Sequence, residues 1–297
     1  MNLPLHAKAA DMSLQVTVLD VGTGSGLLGM MAVRAGADAV VGVELSPHMC
    51  RVADETLARN GCIQRMTVLN RDARHVYAAD SDGLRGGKKP DGSSPEMAQK
   101  ADILVFEVFD SGLIGEGALH VLHAAQTRLL VPDATLVPAA ATVFCQLIEW
   151  RLVSVQDVFV EPLNQYNWRP DYEGIEMSEM RDQWRSLSAP IRVADFNFGA
   201  QFDGPTTRYL SIPASASGTV NAVAVWFDLI LDRDTVLSTS PHLPGKGPTW
   251  QQAIQFLGET AVRQGDVVSI EATNDSYSIS IKVRQPSACH VPSPRFA

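Results

Sequence analysis

Two glutamates bracket a glycine-bearing segment in the middle of the chain. Glu107 follows the apolar run Ile103–Phe106, and Glu116 closes the segment Glu-Val-Phe-Asp-Ser-Gly-Leu-Ile-Gly-Glu. Two converging carboxylates are costly to bring together unless a cation lies between them. A guanidinium group fits such a pair, because it is planar, permanently charged and bound by carboxylates through paired hydrogen bonds. The pair therefore predicts a site for a cationic, guanidinium-bearing substrate.

A glycine turn after an apolar strand supplies a second candidate site. Residues 18–26 read VLDVGTGSG, with the spacing G-x-G-x-G and not the G-x-G-x-x-G of dinucleotide dehydrogenases. Such a turn lets the backbone approach a ligand and opens a helix whose N-terminal amides face it. Asp20 would repel a pyrophosphate and suits a cation such as the amino group of S-adenosylmethionine, while Glu44 can accept both ribose hydroxyls. We predict a nucleoside-binding methyltransferase fold; a nicotinamide-binding domain or a turn without ligand is the alternative.

The elements that must position these motifs alternate between strands and helices up to about Val137. Apolar, β-branched runs predict strands at 17–21, 40–43, 66–69 and 103–106, and helical spacing predicts helices at 27–36 and 47–60. This alternation predicts a parallel sheet with helices on both faces, which binds ligands at the carboxyl ends of its strands. Considered alone, Glu107 and Glu116 are better explained by a solvent-exposed loop. Their expected position at the carboxyl edge of the sheet favours a substrate site.

The second half of the chain has a different pattern. From Pro138 onward, strand-like runs separated by turn signals predict an antiparallel sheet or barrel. An aromatic and acidic stretch at about 159–187 interrupts it, and predicts either a contact arm or a helix packed on its own barrel. Segment 80–100, which is polar and rich in Gly, Pro and Ser, predicts a mobile surface insertion in the first half.

Composition excludes several classes of protein. A hydrophobic fraction of 45% with 19% charged residues is typical of a globular core and excludes disorder, collagen and coiled coil. The net charge of -9 disfavours nucleic acid as a partner and attracts cations, and no apolar run is long enough for a membrane helix. The four scattered cysteines predict neither a disulfide framework nor a metal site. Without a signal-peptide pattern, the expected location is cytoplasmic, with the nucleus left open.

Together, the glycine turn, Glu44 and the paired-glutamate loop resemble the protein arginine methyltransferase family. The run Glu107–Leu119 is especially similar to its monomethylating, type III branch, and the resemblance covers about Val16 to Phe256. It implies an α/β protein with a Rossmann-like S-adenosylmethionine-dependent methyltransferase domain at 1–137. An antiparallel β-barrel would follow at 138–297, with a helical dimerisation arm inserted at about 159–187.

The resemblance also implies the chemistry and the partners. The cofactor would be S-adenosylmethionine, leaving S-adenosylhomocysteine as product, without a metal. The substrates would be arginine-containing proteins, in particular Arg/Gly-rich RNA-binding proteins, and the arm would form a homodimer. Glu107 and Glu116 would grip the substrate guanidinium, and Trp250 would close over the arginine pocket. The expected cofactor contacts are Asp20, Gly22, Gly24, Ser25, Gly26, Leu28, Glu44, Leu45, Ala73 and Arg74.

Two features depart from the family pattern. The residues before the first strand lack the Tyr, Phe and Arg of the helices that cover the cofactor in the family. Thr249 stands where the family's Thr-His-Trp loop has its His. We expect either a truncated start or a missing cofactor lid. A catalytically silent partner or scaffold subunit is the alternative to an enzyme, and a small-molecule methyltransferase is a third interpretation.

Overall fold

The computed structural model of the 297-residue chain describes residues 15–79, 88–166, 171–202, 204–244 and 249–284. The described residues form two compact units. The first takes its residues from Met1–Ala141, Asp195–Asp203 and Asp228–Leu237, and the second from Thr142–Ala194, Gly204–Phe227 and Ser238–Ala297. The domain boundary between residues 137 and 138 stays a prediction from the sequence.

The first unit is built on a five-stranded sheet in which every neighbouring pair is parallel. Its strand order is β3-β2-β1-β4-β5, so the order reverses between β1 and β4, where open α/β sheets bind ligands. This arrangement confirms the predicted Rossmann-like class. The elements are β1 (Thr17–Val21), α1 (Leu27–Arg34), β2 (Ala39–Glu44), α2 (Pro47–Arg59), β3 (Met66–Asn70), β4 (Ala101–Phe106), α3 (Ala118–Arg128) and β5 (Leu130–Val137).

Local sequence explains why these elements form. Every residue of β1 is buried, as a central strand covered on both faces requires. Helix α2 begins after Ser46, whose hydroxyl accepts a hydrogen bond from the Met49 amide, and Pro47 occupies its first turn. A short 3-10 helix, Ala73–His75, follows β3. The start of α2 and this 3-10 helix both place backbone at the carboxyl edge of the sheet.

The strands after β5 form antiparallel sheets. The seven-stranded sheet has the order β10-β6-β13-β15-β9, with β11 beside β6 and β14 beside β13. Strands β12, β16 and β17 form a second sheet, and β7 and β8 form a hairpin. The strands are β6 (Ala140–Trp150), β7 (Ser154–Val155), β8 (Val158–Phe159), β9 (Glu173–Ile175), β10 (Trp184–Ser186), β11 (Ile191–Asn197), β12 (Thr206–Pro213), β13 (Gly218–Ile230), β14 (Val236–Ser238), β15 (Gln252–Val262), β16 (Val267–Asn274) and β17 (Ile279–Arg284).

The segment at about 159–187 is less helical than the resemblance implies. Its described residues form two 3-10 helices, Glu161–Tyr166 and Met177–Glu179, and the short strands β9 and β10. The two strands pair with β15 and β6. Sequence explains the correction, because Pro162 and Gly174 both disfavour a continuous α-helix. Residues 167–170 of this segment lie outside the described part of the chain.

The polar insertion also needs a correction. Residues 80–87 lie outside the described residues, but residues 88–100 are anchored to the first unit. Met97 is buried and pairs with Ala78 in an isolated β-bridge. The Lys89 ammonium lies 2.6 Å from the Glu96 carboxylate, and both side chains are mostly buried. A mobile surface loop therefore does not describe the second half of the insertion.

Across the described ranges, no helix is both long enough and apolar enough to cross a membrane.

Candidate active site

A cavity of about 660 Å³ opens at the carboxyl edge of the parallel sheet in the first unit. Its volume is that of an ordinary small-molecule site. The ends of β1, β2 and β4 contribute to its wall, at the point where the strand order reverses. The lining residues are Val21, Gly22, Gly24, Val43, Glu44, Leu45, Ser46, Arg71, Asp72, Ala73, Arg74, Glu107, Val108, Glu116 and Val121.

Gly22 lets the turn after β1 pass close to the end of β4. Its φ is +74°, and a Cβ at this position would lie 2.3 Å from the Glu107 carbonyl oxygen. The amides of Gly22 and Thr23 both donate to the Val43 carbonyl, at 2.9 and 3.2 Å. The turn is thus held between two strands, and only glycine fits at its first position.

Glu44 faces the cavity with a carboxylate that the backbone orients. One oxygen accepts from the Gly24 amide at 3.0 Å, and the other accepts from the Ser46 amide at 2.8 Å. Each carboxylate oxygen has a further lone pair available to a ligand. Glu44 therefore joins the glycine turn to the start of α2 and can still accept hydrogen bonds from hydroxyl groups.

Asp20 supports the glycine turn from below and does not line the cavity. It is fully buried, and its Oδ2 accepts from the Thr23 hydroxyl at 2.6 Å and the Gly29 amide at 2.8 Å. Burial raises the pKa of Asp20 to about 6, against the lowering effect of these two hydrogen bonds. Its other oxygen, Oδ1, is buried without a hydrogen-bond partner among the described residues, and the direct ligand contact expected of Asp20 stays a prediction.

The two loop glutamates lie in the same cavity, at opposite ends of their loop. Asp110 shapes that loop, because its carboxylate accepts from the Gly115 amide at 2.9 Å and its carbonyl from the Leu113 amide at 3.0 Å. The pKa of Glu116 is raised by burial and by the negative charges of Asp110 and Glu44. The cavity is consequently an acidic environment that favours a cation.

Ala73 and Arg74 form the wall beyond β3, together with a residue that the sequence analysis missed. Asp72 caps the 3-10 helix by accepting the Arg74 amide at 2.9 Å, and it pairs with the Arg74 guanidinium at 2.6 Å. The hydrogen bond from Arg74 lowers the pKa of Asp72. An acid two residues before the predicted Arg74, and two residues after the end of β3, was the available signal. Ser46 was detectable in the same way, as a helix cap before Pro47.

Some predicted residues are not among the residues that line the cavity. Ser25, Gly26 and Leu28 belong to the turn and the start of α1 but do not line the cavity. Trp250 belongs to the second unit, where its ring packs edge-on against Phe227 at 5.8 Å. Within the described part of the chain, no three His, Cys, Asp or Glu side chains are arranged to hold a metal ion.

Two family models match the chain in separate regions. Residues 3–84 match the ribosomal protein L11 methyltransferase (PrmA) model, and residues 139–284 match the arginine methyltransferase oligomerization subdomain. A protein arginine N-methyltransferase 7 from Xenopus laevis is 31% identical over 299 residues, covering 92% of this chain. The chain is similar to protein arginine methyltransferases over at least 90% of its length.

The similar arginine methyltransferases differ in how much of their own length this chain matches. The chain spans 42% of the Xenopus relative. It is 29% identical to an arginine N(omega)-methyltransferase of Streptomyces achromogenes subsp. streptozoticus, covering 90% of this chain and 71% of that protein. A Trypanosoma brucei PRMT1 enzyme-prozyme heterotetrameric complex with AdoHcy has the same fold. That structure aligns with a TM-score of 0.69 at 22% identity, over 92% of this chain and 85% of its own.

Proposed function

We propose that the chain transfers a methyl group from S-adenosylmethionine to a guanidinium nitrogen of arginine in proteins. One observation carries the proposal: a single cavity at the sheet's switch point is lined by the glycine turn, Glu44 and both loop glutamates. A nucleoside site and a cation site are thereby adjacent. Similarity to arginine methyltransferases supports the same assignment.

The cavity's chemistry fits a nucleoside cofactor. The Glu44 carboxylate is already oriented by two backbone amides, so its remaining lone pairs can accept the two ribose hydroxyls. Leu45 exposes 69% of its surface beside it and offers an apolar contact. Ala73 and Arg74 provide the opposite wall. When bound there, S-adenosylmethionine supplies an electrophilic methyl group on a sulfonium.

Glu107 and Glu116 would bind and orient the acceptor. A guanidinium is a poor nucleophile because its nitrogen lone pairs are delocalised. Glu107 accepts a hydrogen bond from the attacking nitrogen and polarises it, while Glu116 fixes the other side of the group. Holding that nitrogen in line removes much of the entropic barrier, and the two carboxylates offset the extra positive charge that develops on the guanidinium as the methyl group arrives. The nitrogen releases a proton as it gains the methyl group, so that the methylated guanidinium keeps a single positive charge.

The raised pKa of Glu116 makes binding of the substrate guanidinium depend on pH. Glu116 binds a guanidinium only when ionised, and its neighbours Asp110 and Glu44 oppose ionisation. A bound cation reverses that cost, so binding releases protons from any protonated Glu116. Substrate affinity is therefore expected to fall as the pH falls through the raised pKa of Glu116.

The similarity of the Glu107–Leu119 loop to the type III branch supports monomethylation of Arg/Gly-rich proteins as the finer proposal. A second candidate is free L-arginine. It is favoured by the Streptomyces relative, which is named for arginine without mention of protein and is matched over 71% of its length. Both candidates use the same carboxylates, and they differ in what surrounds the guanidinium. No comparison favours the catalytically silent alternative.

A second copy of the chain is the proposed partner in assembly. The match to an oligomerization subdomain over residues 139–284 supports it. So does an apolar surface in the second unit, which we call the hairpin patch. Its exposed side chains are Val153, Val155, Val158, Phe159, Leu163 and Tyr166. A cytoplasmic location stays a prediction from the sequence.

Mass spectrometry tests the proposed reaction. The chain is incubated with S-adenosylmethionine and either an Arg/Gly-repeat peptide or free L-arginine. One added methyl per arginine in the peptide supports the finer proposal, and a second methyl would contradict monomethylation. Methylation of free arginine alone would favour the second candidate. No transfer to either acceptor, with S-adenosylhomocysteine bound normally, would support a catalytically silent subunit.

A further inference from the structure

The last residue of α3 reaches across to the wall of the cavity. The Arg128 guanidinium donates through Nη2 to the Arg74 carbonyl at 2.5 Å. Its Cζ lies 4.7 Å from the centre of the Tyr77 ring, and Nη1 is 3.4 Å from the Tyr77 hydroxyl. One planar group therefore stacks on an aromatic face while its edge holds a carbonyl of the wall. An Arg is suited to this combination because its fork is flat and its donors are fixed in direction.

This contact completes the support of the 3-10 helix Ala73–His75. Asp72 holds the beginning of the helix by accepting the Arg74 amide and pairing with the Arg74 guanidinium. Arg128 holds the Arg74 carbonyl, which belongs to the same turn. The helix has a single turn, so it has few hydrogen bonds of its own and depends on such outside contacts. Ala73 and Arg74 are the residues of this turn that line the cavity.

Tyr77 is itself fixed from the opposite side by the anchored half of the insertion. Its amide donates to the Glu96 carboxylate at 3.2 Å, and its carbonyl accepts from the Glu96 and Met97 amides at 3.1 Å. Glu96 also pairs with Lys89 at 2.6 Å. Burial raises the pKa of Glu96, but the hydrogen bonds from Lys89 and Tyr77 outweigh it, and the net shift is downward. The ring under Arg128 is thus held in a defined position.

We propose that Arg128 is a positioning residue that sets the affinity of the cavity for the nucleoside part of the cofactor. It acts through Arg74 and Tyr77 and lies outside the cavity lining. The proposal rests on the proposed function, because it assumes that the cavity binds S-adenosylmethionine. Since the guanidinium uses both its face and its edge, a Lys at this position keeps the charge but loses the paired geometry.

The test compares Arg128→Met and Arg128→Lys with Arg34→Met. Arg34 is a matched control, because it is the last residue of α1 and donates to Asn60 at 3.1 Å without touching the cavity. Calorimetry gives the Kd of S-adenosylhomocysteine, and steady-state kinetics give KM for the cofactor and for an Arg/Gly peptide. We expect Arg128→Met to raise Kd and cofactor KM about tenfold, with peptide KM changed less than about twofold. Arg128→Lys should recover only part of the loss, and Arg34→Met should match the wild type.

Two results would overturn the inference separately from the proposed function. If the wild type binds S-adenosylhomocysteine and Arg128→Met binds it equally well, Arg128 has no role in cofactor affinity. If both KM values rise together as the thermal stability falls, its role is only structural. Failure of the wild type itself to bind would instead refute the proposed function, and the inference with it. Hydrogen exchange at the amides of 73–76 adds an activity-independent readout, since faster exchange in both Arg128 variants is expected and unchanged exchange contradicts the proposal.

Discussion

Asp20 is an ionisable residue that the fold shields completely from water. It is fully buried, and its pKa of about 6 lies above the usual 3.8 mainly because burial disfavours the charge. Between these two values the folded chain binds more protons than the unfolded chain, so this contribution to the free energy of unfolding falls as the pH rises. Above pH 6 the full cost, about 3 kcal/mol, is present.

Asp20→Asn should remove this pH dependence. Relative to the wild type, the variant's free energy of unfolding should improve by about 2 kcal/mol between pH 4 and pH 7.5, as measured by urea denaturation at each pH. Asp54→Asn is the matched control, because Asp54 is exposed on α2. Parallel stability profiles of the Asp20 variant and the wild type would show that Asp20 is not the group responsible.

Glu107 should matter to turnover and little to cofactor binding. Glu107→Gln keeps the shape of the side chain but removes the charge that polarises the acceptor nitrogen, so kcat should fall by at least about 100-fold. The Kd of S-adenosylhomocysteine should change less than about threefold, because the predicted cofactor contacts are other residues. Glu55→Gln on the exposed side of α2 is the control. Retained turnover in the Glu107 variant would refute its catalytic role.

At the scale of elements, the sequence predicts a strand, helix or site residue well when the interactions that determine its position are local in sequence. The strands and helices of the first unit follow from runs and spacings within single segments, and Glu44, Glu107 and Glu116 follow because parallel strands end at one edge. The burial of Asp20 depends on Thr23 and Gly29 folding over it. The sequence of β1 and its glycine turn does not show that these contacts form, so the burial of Asp20 could not be predicted from it.

The harder elements depend on partners distant in sequence. Residues 88–100 have the composition of a loop, yet Met97 is buried against the chain near Ala78. The segment at 159–187 is shaped by its pairing with β6 and β15. Arg128 meets Arg74 across 54 positions of sequence. Composition and periodicity do not encode such contacts, so these features required the structure.

Gln252, at the start of β15, joins two segments of the second unit that sequence could not connect. It is buried, its Oε1 accepts from the Met177 amide at 2.9 Å, and its Nε2 donates to the Thr239 carbonyl at 2.8 Å. The Thr239 hydroxyl in turn accepts from the amide of Phe227, which packs against Trp250. Gln252 therefore supports the region that carries Trp250.

Gln252→Met should destabilise the chain by about 2 kcal/mol or more, because it leaves two buried backbone groups without partners. Gln251→Met is a close control, since the neighbouring Gln251 is exposed and should change stability by less than about 0.5 kcal/mol. Urea unfolding measures both variants. Equal stability of the two variants would mean that water or another group replaces both hydrogen bonds.

At the scale of the whole molecule, the hairpin patch is a set of apolar side chains that a monomer would expose to water. Val155 and Val158 pair across the β7–β8 hairpin, and the Asn164 side chain ties the following 3-10 helix to Leu152 through two hydrogen bonds. Six large apolar side chains are thus exposed within residues 153–166, in a segment whose backbone is tied by these hydrogen bonds. Such a local concentration of exposed apolar side chains is typical of protein–protein contacts.

A second copy of the chain covering this patch predicts a mass of twice 32.1 kDa in solution. Val158→Asp should shift the chain to the monomer in light scattering at micromolar concentration, because a charge in an apolar interface is left unpaired. Val267→Asp is the matched control, since both valines lie in strands and are 63% and 62% exposed, but Val267 lies on β16 outside the patch. A monomeric wild type, or equal dissociation of the two variants, would refute the hairpin patch as the interface. If only Val158→Asp dissociates, the hairpin patch is the interface. The helix that the sequence predicted for the arm is then not needed for assembly.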